Sequence, residues 1–286
     1  MPSVALYRPR SSAPAVHAAV LAALGALLAA LLLGPPPARG IEPQPVEIIL
    51  AQRPVMLDLY LPTGDAPPHG AVVLAHGFTR TRATMAEHAA ALAALGLIAA
   101  VPDLPYVTDS RANARVLADL VQWLRAGTQT PAVARVVLVG FSAGGLAALL
   151  AADAPGVAGY VGLDPFDRPG GVGRDKAAQL TVPARLVRAR PSACNAFSIA
   201  EPWVKALRAL EDDRIIEGAS HCDFEAPTDR LCQWVCGQAD AGRQQAVRAA
   251  LLEAVNRWLP GAAPAGLREP GGLREPGGLR EPGALR

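Results

Sequence analysis

The chain reads as short apolar runs separated by turn residues. Val46 to Leu50 and Val55 to Leu61 predict two strands joined by a turn, since Leu57, Leu59 and Leu61 alternate with more polar neighbours. Ala71 to Ala75 is apolar throughout and follows Pro67, Pro68 and Gly70, which suits a strand covered on both faces. A helix is expected at 82–95, ended by Gly96, then a buried strand from Leu97 to Val101 and a loop holding Pro102, Asp103 and Pro105. Further on the pattern predicts a helix at 110–126, a strand from Val136 to Val139, a helix at 143–152 and strands at 157–163 and 184–187. A helix at 201–210, a last strand at 214–217 and a closing helix at 244–259 complete the series. Strands and helices alternate almost throughout. This order predicts an α/β fold: a mostly parallel, eight-stranded sheet with right-handed crossovers, helices on both faces and ligands at the carboxyl ends of the strands.

The two ends fall outside that pattern. Residues 1–40 run from Arg8 and Arg10 through an apolar stretch, 15–33, to Gly34, three prolines and Arg39. This is the basic, apolar, breaker order of an export signal, and it predicts a secreted or periplasmic protein. The stretch is also just long enough to cross a bilayer, so membrane attachment through 15–33, with the following domain exported, is the alternative. Residues 263–286 carry a repeat, Gly266-Leu-Arg-Glu-Pro-Gly271 and two further copies, whose regular Pro and Gly prevent a helix or a buried stripe. It reads as a disordered tail. The fold is therefore expected in one domain, 41–262, with core enough to stand alone.

Charge changes the picture little. The net charge is +2, yet residues 1–40 hold three arginines and no acid, and the tail holds four arginines against three glutamates. What remains is 20 basic and 22 acidic residues, which implies no basic face and no nucleic-acid partner.

The candidate chemistry starts after the strand ending at Val139. Gly140-Phe-Ser142-Ala-Gly144, followed by Gly145, is a G-x-S-x-G turn between a strand and a helix, where only small neighbours leave room for an exposed nucleophile. Such a serine needs a base, an orienting acid and donors for the oxyanion. Of five histidines, His17 lies in the export segment, His69 in a Pro/Gly loop, His88 on a helix, and His76 in the His76-Gly77-Phe78 turn suited to an oxyanion hole. His221, after the last strand, is the expected base. The loop at 188–195 has no carboxylate, so the acid is sought in Gly162-Leu-Asp164-Pro-Phe-Asp167: Asp164 first, Asp167 second. Asp223, two residues from His221, reads as a local loop acceptor. The backbone N–H groups of Phe78 and Ala143 are the expected oxyanion donors, and Phe78 and Phe166 the apolar walls of the substrate site. No metal or organic cofactor is called for.

Together, His76-Gly-Phe-Thr79, Pro102-Asp103, Gly140-Phe-Ser-Ala-Gly144, Gly162-Leu-Asp-Pro165 and Gly218-Ala-Ser-His221 resemble the α/β-hydrolases. The likeness is greatest to the branch holding chlorophyllases, bacterial polyester hydrolases and cutinase-like lipases. It implies an α/β-hydrolase fold and a serine carboxylic-ester hydrolase that works through an acyl-enzyme on bulky or apolar, small-molecule or polymeric esters. The Gly-Leu-Asp-Pro segment is also similar to the acid loop of pancreatic-type lipases, and chlorophyllases have a comparable Asp-Pro, which supports Asp164. The departure is the acid-free loop at 188–195, where polyester hydrolases carry theirs. Acyl transfer on the same triad, a noncatalytic binding protein of this fold, and an anchored interaction protein working through its tail are the rival readings.

Only about twenty residues separate the strands at 157–163 and 184–187, too few for a cap domain, so an open site with little interfacial activation is expected. The four cysteines, Cys194, Cys222, Cys232 and Cys236, have no paired C-x-x-C zinc pattern and predict disulfides in an exported protein. Neighbouring strands at 184–187 and 214–217 would bring Cys194 to Cys222, leaving Cys232 to Cys236. A monomer is expected.

Overall fold

A computed structural model describes residues 41–261; the expected export or anchor segment and the repeat tail lie outside the described residues. Eight strands form one sheet: β1 (Gln44–Leu50), β2 (Arg53–Tyr60), β3 (Ala71–Ala75), β4 (Ile98–Pro102), β5 (Val136–Phe141), β6 (Val157–Leu163), β7 (Ala184–Arg188) and β8 (Leu210–Ile215). Their spatial order is β1-β2-β4-β3-β5-β6-β7-β8. The β1–β2 and β2–β4 pairs are antiparallel and all others parallel. The expected mostly parallel eight-stranded sheet is thus observed.

Alternation along β3 shows why its run is apolar throughout. Ala71, Val73 and Ala75 face a core shared with α2 (Ser110–Ala126) and α3 (Ala143–Ala151). Val72 and Leu74 face the opposite core, with α1 (Ala86–Ala93) and the C-terminal helix Ala241–Trp258. Helix α2 has the expected bounds: the Asp109 carboxylate accepts the Ala112 N–H at 2.9 Å, Gly127 ends it at φ 68°, and Val116, Leu117, Leu120, Val121 and Leu124 form its buried stripe.

The chain departs from expectation where polar residues carry the elements. The last strand starts at Leu210, not Arg214, and the expected helix at 201–210 shrinks to α5 (Pro202–Ala206). Strand β8 reads Leu-Glu-Asp-Asp-Arg-Ile, and its charges answer those of its neighbour: Arg188 of β7 forms a two-bond pair with Asp213 at 2.6 and 2.7 Å. Ion pairing replaces the apolar signal there. The helix expected at 82–95 begins as a 3-10 turn, Arg82–Met85, and the closing helix begins three residues earlier, where Asp240 caps it by accepting from Arg243 N. Two short helices went unpredicted: α4 (Val172–Ala177) and α6 (Arg230–Cys236). With these, the C-terminal helix is α7. Between β6 and β7 only α4 stands, so there is no large cap.

Candidate active site

Ser142 sits between the end of β5 and the first residue of α3, with φ 52° and ψ −122°, a conformation that strains any residue with a side chain. The bend is so tight that its glycines are obligatory. A Cβ on Gly140 would lie 2.3 Å from the Gly144 carbonyl oxygen, and one on Gly144 would lie 2.3 Å from that of His76. The strained residue is tied on both sides: Ser142 N–H donates to Leu163 O at 3.1 Å, and Ser142 O accepts from Gly145 and Phe166 N–H at 2.9 and 3.0 Å. The expected nucleophile turn is thus fastened to the end of β6, where the candidate acids begin.

Asp164 directly follows β6, at φ 38°, and is buried. Its Oδ2 accepts from His221 Nδ1 at 2.6 Å. Because a carboxylate only accepts, this bond puts the imidazole proton on Nδ1 and leaves Nε2 as a free lone pair. His221 opens a 3-10 turn (His221–Phe224) after β8, and its ring lies 4.7 Å from that of Phe141. Ser142 and His221 line one cavity of about 300 Å³. Among the described residues no hydrogen bond joins Ser142 Oγ to His221; such pairs commonly close only around substrate.

Asp167 is placed elsewhere. Its carboxylate accepts from the N–H groups of Arg168, Gly173 and Arg174 at 2.7–3.0 Å and from Trp203 Nε1 at 2.8 Å, so it caps the start of α4. Asp223 accepts from Ser220 and Asp240 N–H and from Arg243 Nε, closing the loop that holds His221.

Sequence reasoning missed Asn195. Its Nδ2 approaches Asp164 Oδ1 and Oδ2 at 3.3 and 3.4 Å, while Oδ1 accepts from Ser192 and Ser198 N–H. With the Ala189 N–H, which donates to Asp164 Oδ1 at 3.0 Å, it holds the carboxylate in place. The acid-free loop after β7 thus supplies donors to a carboxylate just beyond the end of the neighbouring β6. Its one sequence signal is an amide in an otherwise acid-free loop.

The His76 turn forms the opposite wall. His76 Nδ1 donates to Gly77 O, and Nε2 accepts from Leu104 N–H, both at 2.9 Å. Burial pushes the His76 pKa below its usual value, so the ring is neutral and structural. Among the described residues neither the Phe78 nor the Ala143 N–H has an acceptor, although both residues border a cavity of about 570 Å³ with Ser142. Arg80 then crosses to the loop that follows His221, gripping Glu225 through Nε and Nη2 at 2.5 and 2.6 Å and Asp229 at 2.9 Å. The paired carboxylates raise the Arg80 pKa, and Glu225 is fully buried. This cross-tie was also not foreseen. Phe78, 54 % exposed, and Phe166 both line the larger cavity.

The disulfides correct the expected pairing: Cys194 bonds Cys236, and Cys222 bonds Cys232. Cys232 and Cys236 lie one turn apart on α6. Residues at that spacing hold their Cβ atoms about 5–6 Å apart, beyond disulfide reach, so a bond between them would break the helix. Instead α6 lies between the loops after β7 and β8 and is fastened to each.

A family model described as the alpha/beta hydrolase family matches residues 72–270. No curated protein matches the sequence. Among solved structures, the chain is similar to dienelactone hydrolase from Anabaena variabilis ATCC 29413, at 21 % identity and TM-score 0.62, over 77 % of this chain and 100 % of that one. It is similar to a serine hydrolase without lid from Xanthomonas campestris, at 18 % identity and TM-score 0.57, covering 80 % and 100 %. Thermogutta terrifontis esterase 2, phosphonylated by cyclosarin, matches at 16 % identity and TM-score 0.58, covering 80 % and 98 %. At these identities the likeness is one of fold.

Proposed function

Since the chain belongs to the alpha/beta hydrolase family, we propose that it is a serine carboxylic-ester hydrolase acting on bulky or apolar esters, in the manner of chlorophyllases and cutinase-like lipases. The observation that carries this reading is the 2.6 Å bond from His221 Nδ1 to Asp164, which leaves Nε2 free in a cavity shared with the strained Ser142.

Ser142 Oγ attacks the ester carbonyl as His221 Nε2 takes its proton, and Asp164 stabilises the resulting imidazolium. The unpaired N–H groups of Phe78 and Ala143 receive the oxyanion. His221 then protonates the leaving alkoxide, and water, activated by the same ring, hydrolyses the acyl-enzyme. The substrate class rests on the walls: Phe78, Val107, Phe166 and Pro169 give the larger cavity an apolar lining. The basic-apolar-breaker order of residues 1–40 and the two disulfides support export.

A fluorophosphonate probe tests the proposal together with p-nitrophenyl esters of rising chain length. Wild type is expected to be labelled and to turn over the esters, and Ser142→Ala to do neither. Equal labelling of the two proteins overturns the assignment of the nucleophile.

A further inference from the structure

Two cavities meet at Ser142, and they differ in which partner they share with it. The larger is lined by Ala143 and Phe166 and not by His221; the smaller is lined by His221, with Leu231 and Val235 of α6. Helix α6 has no buried residue, and Leu231, Trp234 and Val235 are 62 %, 83 % and 60 % exposed. A seven-residue helix with that exposure has little packing to hold it. It is held instead by Cys222–Cys232, beside the base, and Cys194–Cys236, beside Asn195.

From this partition we propose that α6 is the wall of an alcohol subsite: Leu231 and Val235 receive the apolar alcohol portion of the ester, and the larger cavity receives the acyl portion. The inference rests on the ester-hydrolase reading and adds to it which cavity takes which half of the substrate. In acylation the Ser142 Oγ–carbon bond forms, the carbon–alkoxy oxygen bond breaks, and the proton held by His221 passes to the departing oxygen. That oxygen must lie within hydrogen-bond reach of His221, so its alkyl group projects into the cavity that His221 lines. The cavity of about 300 Å³ is far larger than a water site and leaves room for an apolar alcohol. The occupant is an aliphatic or aromatic alcohol. The cavity's charged groups, Arg80 and Glu225, already bind each other.

The test compares the double variant Leu231→Ser, Val235→Ser with wild type and with Trp234→Ser. Trp234 sits on the same helix and is more exposed, but it does not line the cavity. Acetate esters of ethanol, 1-butanol and 1-octanol vary the alcohol; ethyl esters of acetic, butyric and octanoic acids vary the acyl group. The double variant is expected to lose about tenfold or more of the kcat/KM preference for octyl over ethyl acetate and to keep its acyl-chain profile. Added 1-butanol should also divert less of the acyl-enzyme to butyl ester, since the accepting alcohol enters by the route the leaving one takes. Trp234→Ser should match wild type in every arm. Equal losses in both ester series, a loss in the acyl series alone, or the same effect from Trp234→Ser would overturn the subsite. Failure of wild type to take the fluorophosphonate or turn over any ester would overturn the ester-hydrolase reading instead.

Discussion

At the scale of single residues, the two aspartates after β6 have divided their work, and the division is measurable. Asp164 holds His221 Nδ1, while Asp167 uses its oxygens on four N–H donors around α4. Asp164→Asn is expected to lower kcat by about 10³-fold or more, because an amide in place of the carboxylate no longer fixes the tautomer or stabilises the imidazolium. Asp167→Asn should leave kcat within a few-fold and lower the urea midpoint, since hydrogen bonds to a charged group contribute about 1.5–3 kcal/mol each. The reverse pattern, in ester turnover and urea titration, would exchange their roles. Asn195→Ala removes the side-chain amide that faces Asp164 and should lower kcat by roughly 10–100-fold, the rate equivalent of one lost charge-assisted bond. The loop it anchors continues through Ala196, Phe197 and Ser198, all at positive φ, which only a well-held loop sustains. An unchanged kcat in Asn195→Ala would leave Ala189 N–H as the acid's sufficient support.

At the scale of elements, the sequence was informative wherever burial wrote an apolar pattern and uninformative wherever polar contacts made the structure. Ala71 to Ala75, the α2 stripe and the Gly140–Gly145 turn were all legible, since each needs a particular side-chain size or period at every position. The charged strand β8 and the capped α4 and α6 were not, because their signals are single residues, Asp167 and Asp229, or partners on another strand. The same reason explains the site: Ser142 and His221 stand in local motifs, whereas Asn195 and the Arg80–Glu225 pair depend on contacts 31 and 145 residues apart. The cysteine pairing failed because an unpredicted helix separates the loops. Each bond fastens α6 to a different loop, which makes it separable by mutation. Cys222→Ser with Cys232→Ser is expected to cost about 2–4 kcal/mol by urea denaturation. Cys194→Ser with Cys236→Ser, closing the longer 42-residue span, should cost about 1 kcal/mol more. A smaller loss in the second variant would show that strain or residual structure outweighs chain entropy.

At the scale of the whole molecule, the carboxyl edge of the sheet is a set of loops braced against one another, and one brace is sensitive to acid. His88 on α1 is fully buried, its Nε2 3.2 Å from Phe224 O in the turn that carries His221. Burial lowers its pKa to about 4, with Arg248 adding to the effect and the bond to Phe224 opposing it. The unfolded chain binds the same proton near pH 6.5. Above that pH both states are neutral and the contribution of His88 to stability is complete. As pH falls from 6.5 to about 4 the unfolded chain gains a proton that the native state refuses, so stability declines; below about 4 both are protonated and the decline stops. His76, whose pKa burial also lowers, acts with the same sign. Between pH 7 and pH 4.5 the His88 contribution amounts to roughly 2–3 kcal/mol. His88→Gln keeps an N–H for Phe224 O and removes the titration, so its stability should fall less than that of wild type over this interval, by about that amount. Urea titrations of both proteins at the two pH values decide it. Parallel losses would mean that the carboxylates, and not this buried imidazole, set the acid limit of the fold.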